Sequence, residues 1–99
     1  MKYLIVDACL NGTGIRDEYS ENGGFTSPES LGLSCSLIQK LNRWLSLYAQ
    51  EFYDGYKNEN VIKKLDDEGK AIAIEIKAEL KDIKITYYSD AKLKKEIVF

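Results

Sequence analysis

Acid/base chemistry in proteins most often rests on imidazole, and this 99-residue chain contains no histidine. His-based triads, the commonest general acid/base and the commonest zinc ligand are therefore all removed. Carboxylates could substitute: Asp7 with Asp17 and Glu18 could act as an acid/base pair or hold Mg²⁺. The competing reading is a strand-end turn followed by a solvated acidic loop, and a chain this small has little room for the pocket that catalytic carboxylates need. Cys9 and Cys35 have no CxxC spacing and too few partners for a structural zinc site. Both are expected to be reduced packing residues.

Asn11-Gly12-Thr13-Gly14 follows the first apolar run and has the look of an anion-binding nest. It lacks the Lys-Ser/Thr of a phosphate loop and the GxGxxG of a dinucleotide site, and Asp17, Glu18 and Glu21 come next and would repel phosphate. These glycines are expected to serve backbone geometry. More informative are the seven tyrosines. Tyr19 sits among Asp17, Glu18 and Glu21, and Tyr53 and Tyr56 flank Asp54 at the edge of an apolar stripe. A tyrosine ring supplies contact area and neighbouring carboxylates supply charge, a combination suited to a basic protein partner. Packing of the same tyrosines over a helix end is the plainer alternative.

The elements that must position these groups can be read from period and punctuation. Tyr3-Leu4-Ile5-Val6 is a near-continuous apolar run, expected as a buried strand with Asp7 at its exposed end. The glycines and asparagines from Asn11 to Gly24 predict a long loop, within which "GIRDEY" could form a short edge strand. Ser27, Pro28 and Glu29 start a single turn that Gly32 closes, and Ser34 then caps a helix running to about Tyr56. Its stripe is Leu37, Ile38, Leu41, Trp44, Leu45, Tyr48 and Phe52, and it ends near Asp54-Gly55. "YKNEN" reads as a polar connection. Asp66 is expected to cap a second helix, with Asp67 and Glu68 in its first turn and a stripe of Ile72, Ala73, Ile76 and Leu80. Ile72, Ile74 and Ile76 also alternate as a strand would, but the caps and the alanines at 71, 73 and 78 favour helix. "IKITYY" and "KKEIVF" read as two strands joined through a turn at Ser89-Asp90. The predicted fold is α+β: a small mixed sheet of three to four strands with two helices packed on one face, in a single domain over residues 1–99.

The formal net charge is −2 and the chain is 30% charged. With no broad cationic surface, direct nucleic-acid binding is disfavoured and a basic partner is favoured. "MKYLIVDACL" is too short for a signal or membrane segment, which leads to an expectation of a cytoplasmic protein. The Asn11-Gly12-Thr13 sequon then carries no glycosylation.

Asn22-Gly23-Gly24, Pro28-Glu29-x-Leu31-Gly32-Leu33-Ser34, Trp44 in the first helix, Asp67-Glu68-Gly69 before an Ile/Leu helix, and the closing strand together make a pattern. In it the chain resembles the immunity proteins of bacterial contact-dependent growth inhibition systems. The resemblance implies an antidote, monomeric in its complex, that binds a cognate toxin domain and blocks its active site or substrate entry. Such a toxin is often a nuclease with a cationic cleft. It implies no catalytic residue, metal or cofactor. The expected partner-binding residues are Asp17, Glu18, Tyr19 and Glu21 in one patch and Tyr53, Asp54 and Tyr56 in a second. Two readings stand beside it: a small ligand- or metal-binding, enzyme-like domain using Asp7 and the glycine loop, and a subunit that self-associates through the apolar "EIVF" edge.

Overall fold

The computed structural model describes residues 2–8, 12–17, 24–92 and 94–97. Along them run β1 (Lys2–Asp7), β2 (Ile15–Asp17), α1 (Cys35–Tyr53), α2 (Glu59–Leu80), β3 (Ile83–Ser89) and β4 (Lys94–Ile97). The strands form one mixed sheet in the order β2-β1-β3-β4, with β1 and β3 parallel at its centre and β2 and β4 antiparallel at its edges. This is the predicted α+β architecture.

Central position explains the composition of β1, in which Leu4, Ile5, Val6 and Asp7 are all buried. Cross-strand neighbours share a face. Leu4 lies opposite Ile85 and Asp17, and Val6 opposite Tyr87 and Ile15, so these residues face one way. The core forms there, where Leu4, Val6, Ile15, Ile83, Ile85 and Tyr87 meet Leu37, Leu41, Trp44 and Tyr48 of α1 and Leu65, Ile72, Ala73 and Ile76 of α2. Each large apolar side chain so buried contributes about 1.5–3 kcal/mol. The opposite face carries Tyr3, Ile5, Asp7, Arg16, Lys84, Thr86 and Tyr88 by the same register.

Ser34 caps α1 as the sequence predicts, accepting from the Leu37 N–H at 3.3 Å. Its own N–H and hydroxyl donate to the Glu79 carboxylate at 2.8 and 2.7 Å, which ties the start of α1 to the end of α2. α1 ends at Asp54, and Gly55 follows with φ +78°. There the Tyr56 N–H reaches the Glu51 carbonyl and the Gly55 N–H that of Phe52, the paired bonds of a glycine-closed helix end.

Three expectations are corrected. α2 begins at Glu59, two turns before Asp66, because Asn58 accepts from the Val61 N–H and serves as the cap. Val61, Ile62 and Leu65 extend the apolar stripe back through the residues between "YKNEN" and Asp66. Phe52, placed on the core stripe, is 42% exposed, because the buried face of α1 ends at Tyr48. Cys35 is exposed at the first position of α1 rather than packed; Cys9 lies outside the described residues. In α2 the helical period overrides the isoleucine alternation, since Ile72 and Ile76 are fully buried while Ile74 is 46% exposed.

Gly69, in the middle of α2, is a packing requirement. A Cβ there would stand 2.7 Å from Trp44 Cζ2 and closer still to the Tyr87 ring, so only a bare Cα lets the helix lie this close to the sheet.

Candidate functional site

The second predicted patch lies where α1 ends. Tyr53, in its last turn, is 74% exposed, and Asp54, the C-cap, is exposed beside it. Tyr56 differs from them. With φ +55° it turns back under the helix end, half-buried, its ring edge-on to Tyr48 at 5.9 Å and its hydroxyl donating to Asp90 Oδ2 at 2.5 Å. Phe52 lies between, 5.9 Å from the Tyr56 ring and 5.6 Å from that of Tyr53. The aromatic series Trp44, Tyr48, Tyr56, Phe52, Tyr53 thus passes from the fully buried core to the surface. A shallow groove beside it is lined by Glu51, Tyr53, Asp54, Lys57, Asn58 and Val61.

Of the first predicted patch, Asp17 closes β2, partly exposed, with its N–H donating to the Gly24 carbonyl at 3.4 Å. Glu18, Tyr19 and Glu21 lie outside the described residues.

Asp7 is not the exposed strand end that the sequence suggests. It is 4% exposed, and Arg16 Nε lies 2.8 Å from its Oδ2. That N–H is not directed at an acceptor, so the contact acts through charge more than through a hydrogen bond. The Arg16 guanidinium in turn lies 5.8 Å from the centre of the Tyr88 ring, within cation–π range. Register also separates the supposed carboxylate pair: Asp17 shares a face with Leu4, whereas Asp7 lies across from Tyr88 on the other face. The glycine loop is packed from within. A Cβ on Gly12 would meet the Phe25 ring and one on Gly14, at φ +95°, would meet Leu41, while the Gly14 carbonyl accepts from the Asp7 N–H at 2.9 Å. Among the described residues no group of three or more His, Cys, Asp or Glu side chains is placed to hold a metal ion, and no helix is long and apolar enough to cross a membrane.

The most developed polar cluster is one the sequence reading misplaced. Asp66, expected as a cap, is 4% exposed in the interior of α2. Its Oδ1 accepts from the Tyr48 and Tyr87 hydroxyls at 2.9 and 2.6 Å, and its Oδ2 from the Ser89 hydroxyl at 2.9 Å. Lys92 Nζ stands 4.0 Å from Oδ2, at the surface end. Two backbone donors complete the cluster, Ala91 N–H to the Tyr48 oxygen at 3.2 Å and Lys92 N–H to the Ser89 oxygen at 3.3 Å. Burial is the main reason the Tyr48 phenol is pushed up to about 12, and burial together with the Asp66 hydrogen bond pushes Tyr87 up as well. The cluster joins both helices to the β3–β4 turn and leaves its buried donors satisfied. One signal for it was available: Asp66 falls at helical spacing with Ile62, Gly69, Ile72 and Ala73, on the buried face, while its neighbour Asp67 faces solvent and pairs with Lys63.

Compared with protein-family models, with curated proteins and with solved structures, the chain matches none of them.

Proposed function

We propose that this protein acts by binding another protein, stoichiometrically and without turnover, as the cytoplasmic immunity partner of a toxin domain. The observation that carries this reading is the end of α1, where Phe52 at 42% and Tyr53 at 74% exposure stand beside Glu51 and Asp54. Exposed aromatic area next to carboxylates is costly to keep in water and favourable against a cationic protein surface. The formal charge of −2 agrees with a basic partner, and a toxin domain with a cationic substrate cleft would present one. The resemblance to immunity proteins supplies the biological setting.

The test is co-expression with the C-terminal domain of the product encoded immediately upstream, followed by co-purification and by growth of a bacterial host that makes the toxin domain. The proposal expects a one-to-one complex and rescue of growth. Failure to form a complex, with growth still arrested, would remove it. In that complex, charge reversal at Asp17 and Asp54 should slow association and flatten its dependence on salt while leaving the fold intact.

A further inference from the structure

The end of α1 departs from a charge preference that α2 follows. A helix C-terminus carries partial negative charge and favours cations. α2 complies, with Glu59 in its first turn and Lys77 in its last, but the last turn of α1 has no basic residue and is followed by Asp54 at the cap. Three acids on α2 have partners: Asp67 with Lys63 at 3.2 Å, Glu75 with Lys40 at 2.9 Å and Glu79 with Ser34 at 2.7 Å. The side-chain carboxylates of Glu51 and Asp54, by contrast, have no hydrogen bond or ion pair among the described residues, nor does the Tyr53 phenol. The two carboxylates and the exposed ring line one groove. Lys57 adds one positive charge to its rim without pairing with either acid, and the start of α2 is offset by its Asn58 cap and by Glu59. The local field stays negative.

We infer that this groove seats an arginine side chain of a protein partner, with the guanidinium over the Tyr53 ring and its N–H donors toward Asp54 and Glu51. The inference rests on the binding function proposed above and names what that surface recognises. Arginine is favoured over lysine because its planar fork matches a carboxylate and its flat face stacks on an aromatic ring, whereas an ammonium does neither. Phe52, packed edge-on to Tyr53 at an interplanar angle of 80°, braces that ring.

The test uses the blocked peptide acetyl-Gly-Arg-Gly-Arg-amide, titrated into ¹⁵N-labelled protein and followed by amide chemical shifts, with the lysine and glutamate analogues alongside. The arginine peptide should move amides between Glu51 and Val61 and bind more tightly than the lysine analogue, and the glutamate peptide should not bind there. Tyr53→Ala should weaken binding about threefold. Glu51→Gln with Asp54→Asn should weaken it about tenfold, and Asp82→Asn, an exposed acid beyond the far end of α2, should leave it unchanged. All these sites are at the surface, so circular dichroism of each variant should match the parent. Shifts spread over the whole surface, equal binding of the lysine peptide, or unchanged affinity in the Glu51/Asp54 variant would each overturn the inference. Loss of the toxin complex as a whole bears on the immunity reading alone. A toxin complex that forms but is indifferent to Tyr53→Ala and to Glu51→Gln/Asp54→Asn would leave that reading standing and remove the arginine seat.

Discussion

Replacing Asp66 by alanine tests whether the buried cluster holds the two helices onto the sheet. Tyr48, Tyr87, Ser89 and Asp66 are each under 5% exposed, so water cannot replace a lost partner. The Tyr87 hydroxyl has Asp66 as its partner and would be stranded, at a cost of about 1–3 kcal/mol. Tyr48 and Ser89 lie 3.3 Å apart and can bond each other, so together they lose about 1–2 kcal/mol. Relief of the carboxylate's own desolvation offsets part of this, leaving a net loss of about 3 kcal/mol, a large share of a small domain's stability. Asparagine should cost less, about 1–2 kcal/mol, because its carbonyl can stand at Oδ1 and keep both phenols while Ser89 turns to accept from its amide. Urea unfolding read by fluorescence of Trp44, the single and fully buried tryptophan, measures both. In the Asp66→Ala background, Tyr87→Phe should be neutral or stabilising, since it removes the stranded donor. A loss under about 1 kcal/mol for Asp66→Ala would refute the reasoning. So would an asparagine variant as unstable as the alanine one, which would mean that charge rather than hydrogen-bond geometry sets the energy.

Three further outcomes follow from the packing. Gly69→Ala gains about 1 kcal/mol of helix propensity but drives a methyl into the Trp44 and Tyr87 rings, so the melting temperature should fall by about 10 °C; an unchanged value would show that α2 can lift off the sheet cheaply. Tyr48 and Tyr87 hold their protons more tightly folded than unfolded, where a phenol titrates near 10. Stability should therefore be level up to about pH 10 and decline as the pH rises toward about 12. Urea titrations across that range should show the decline, and Tyr48→Phe should make it shallower by about one proton. Ser34→Ala removes the α1 cap and the link to Glu79 and should cost about 1–2 kcal/mol in the same assay, with Glu79→Gln costing less than half of that because it keeps a hydrogen-bonding side chain.

Much of the architecture was legible because it depends on local rules. The β1 run, the Ser34 cap, the Gly55 stop and the alternation in β3 each announce themselves within a few residues. What misled was chemistry that reads the same in two settings. Asp66-Asp67-Glu68 looks like a helix start because acids favour that end. Here Asn58 already fills the role, and the first of the three acids is turned inward to collect hydroxyls from residues 18 to 23 positions away. Asp7 looked solvent-facing for a similar reason: nothing in the local sequence shows that Arg16 will be brought to it by the β1–β2 pairing. At the candidate site, exposure of Tyr53 and Asp54 at the helix end was foreseeable from their offset from the stripe. The inward turn of Tyr56 depends on Asp90, 34 residues away, and was not.

The central pair of the sheet joins residues 2–7 to residues 83–88, so its two strands are separated by both helices in sequence. A ribosome making this chain would complete β1 and α1 well before β1's parallel neighbour exists, and α2 immediately before it. Until then Leu4 and Val6 lack the strand they lie beside, and the inner faces of the helices have no finished floor. Closure of so long a loop comes late and slowly, which makes the interval before residue 83 emerges the period of greatest exposure to chaperones, proteases and aggregation.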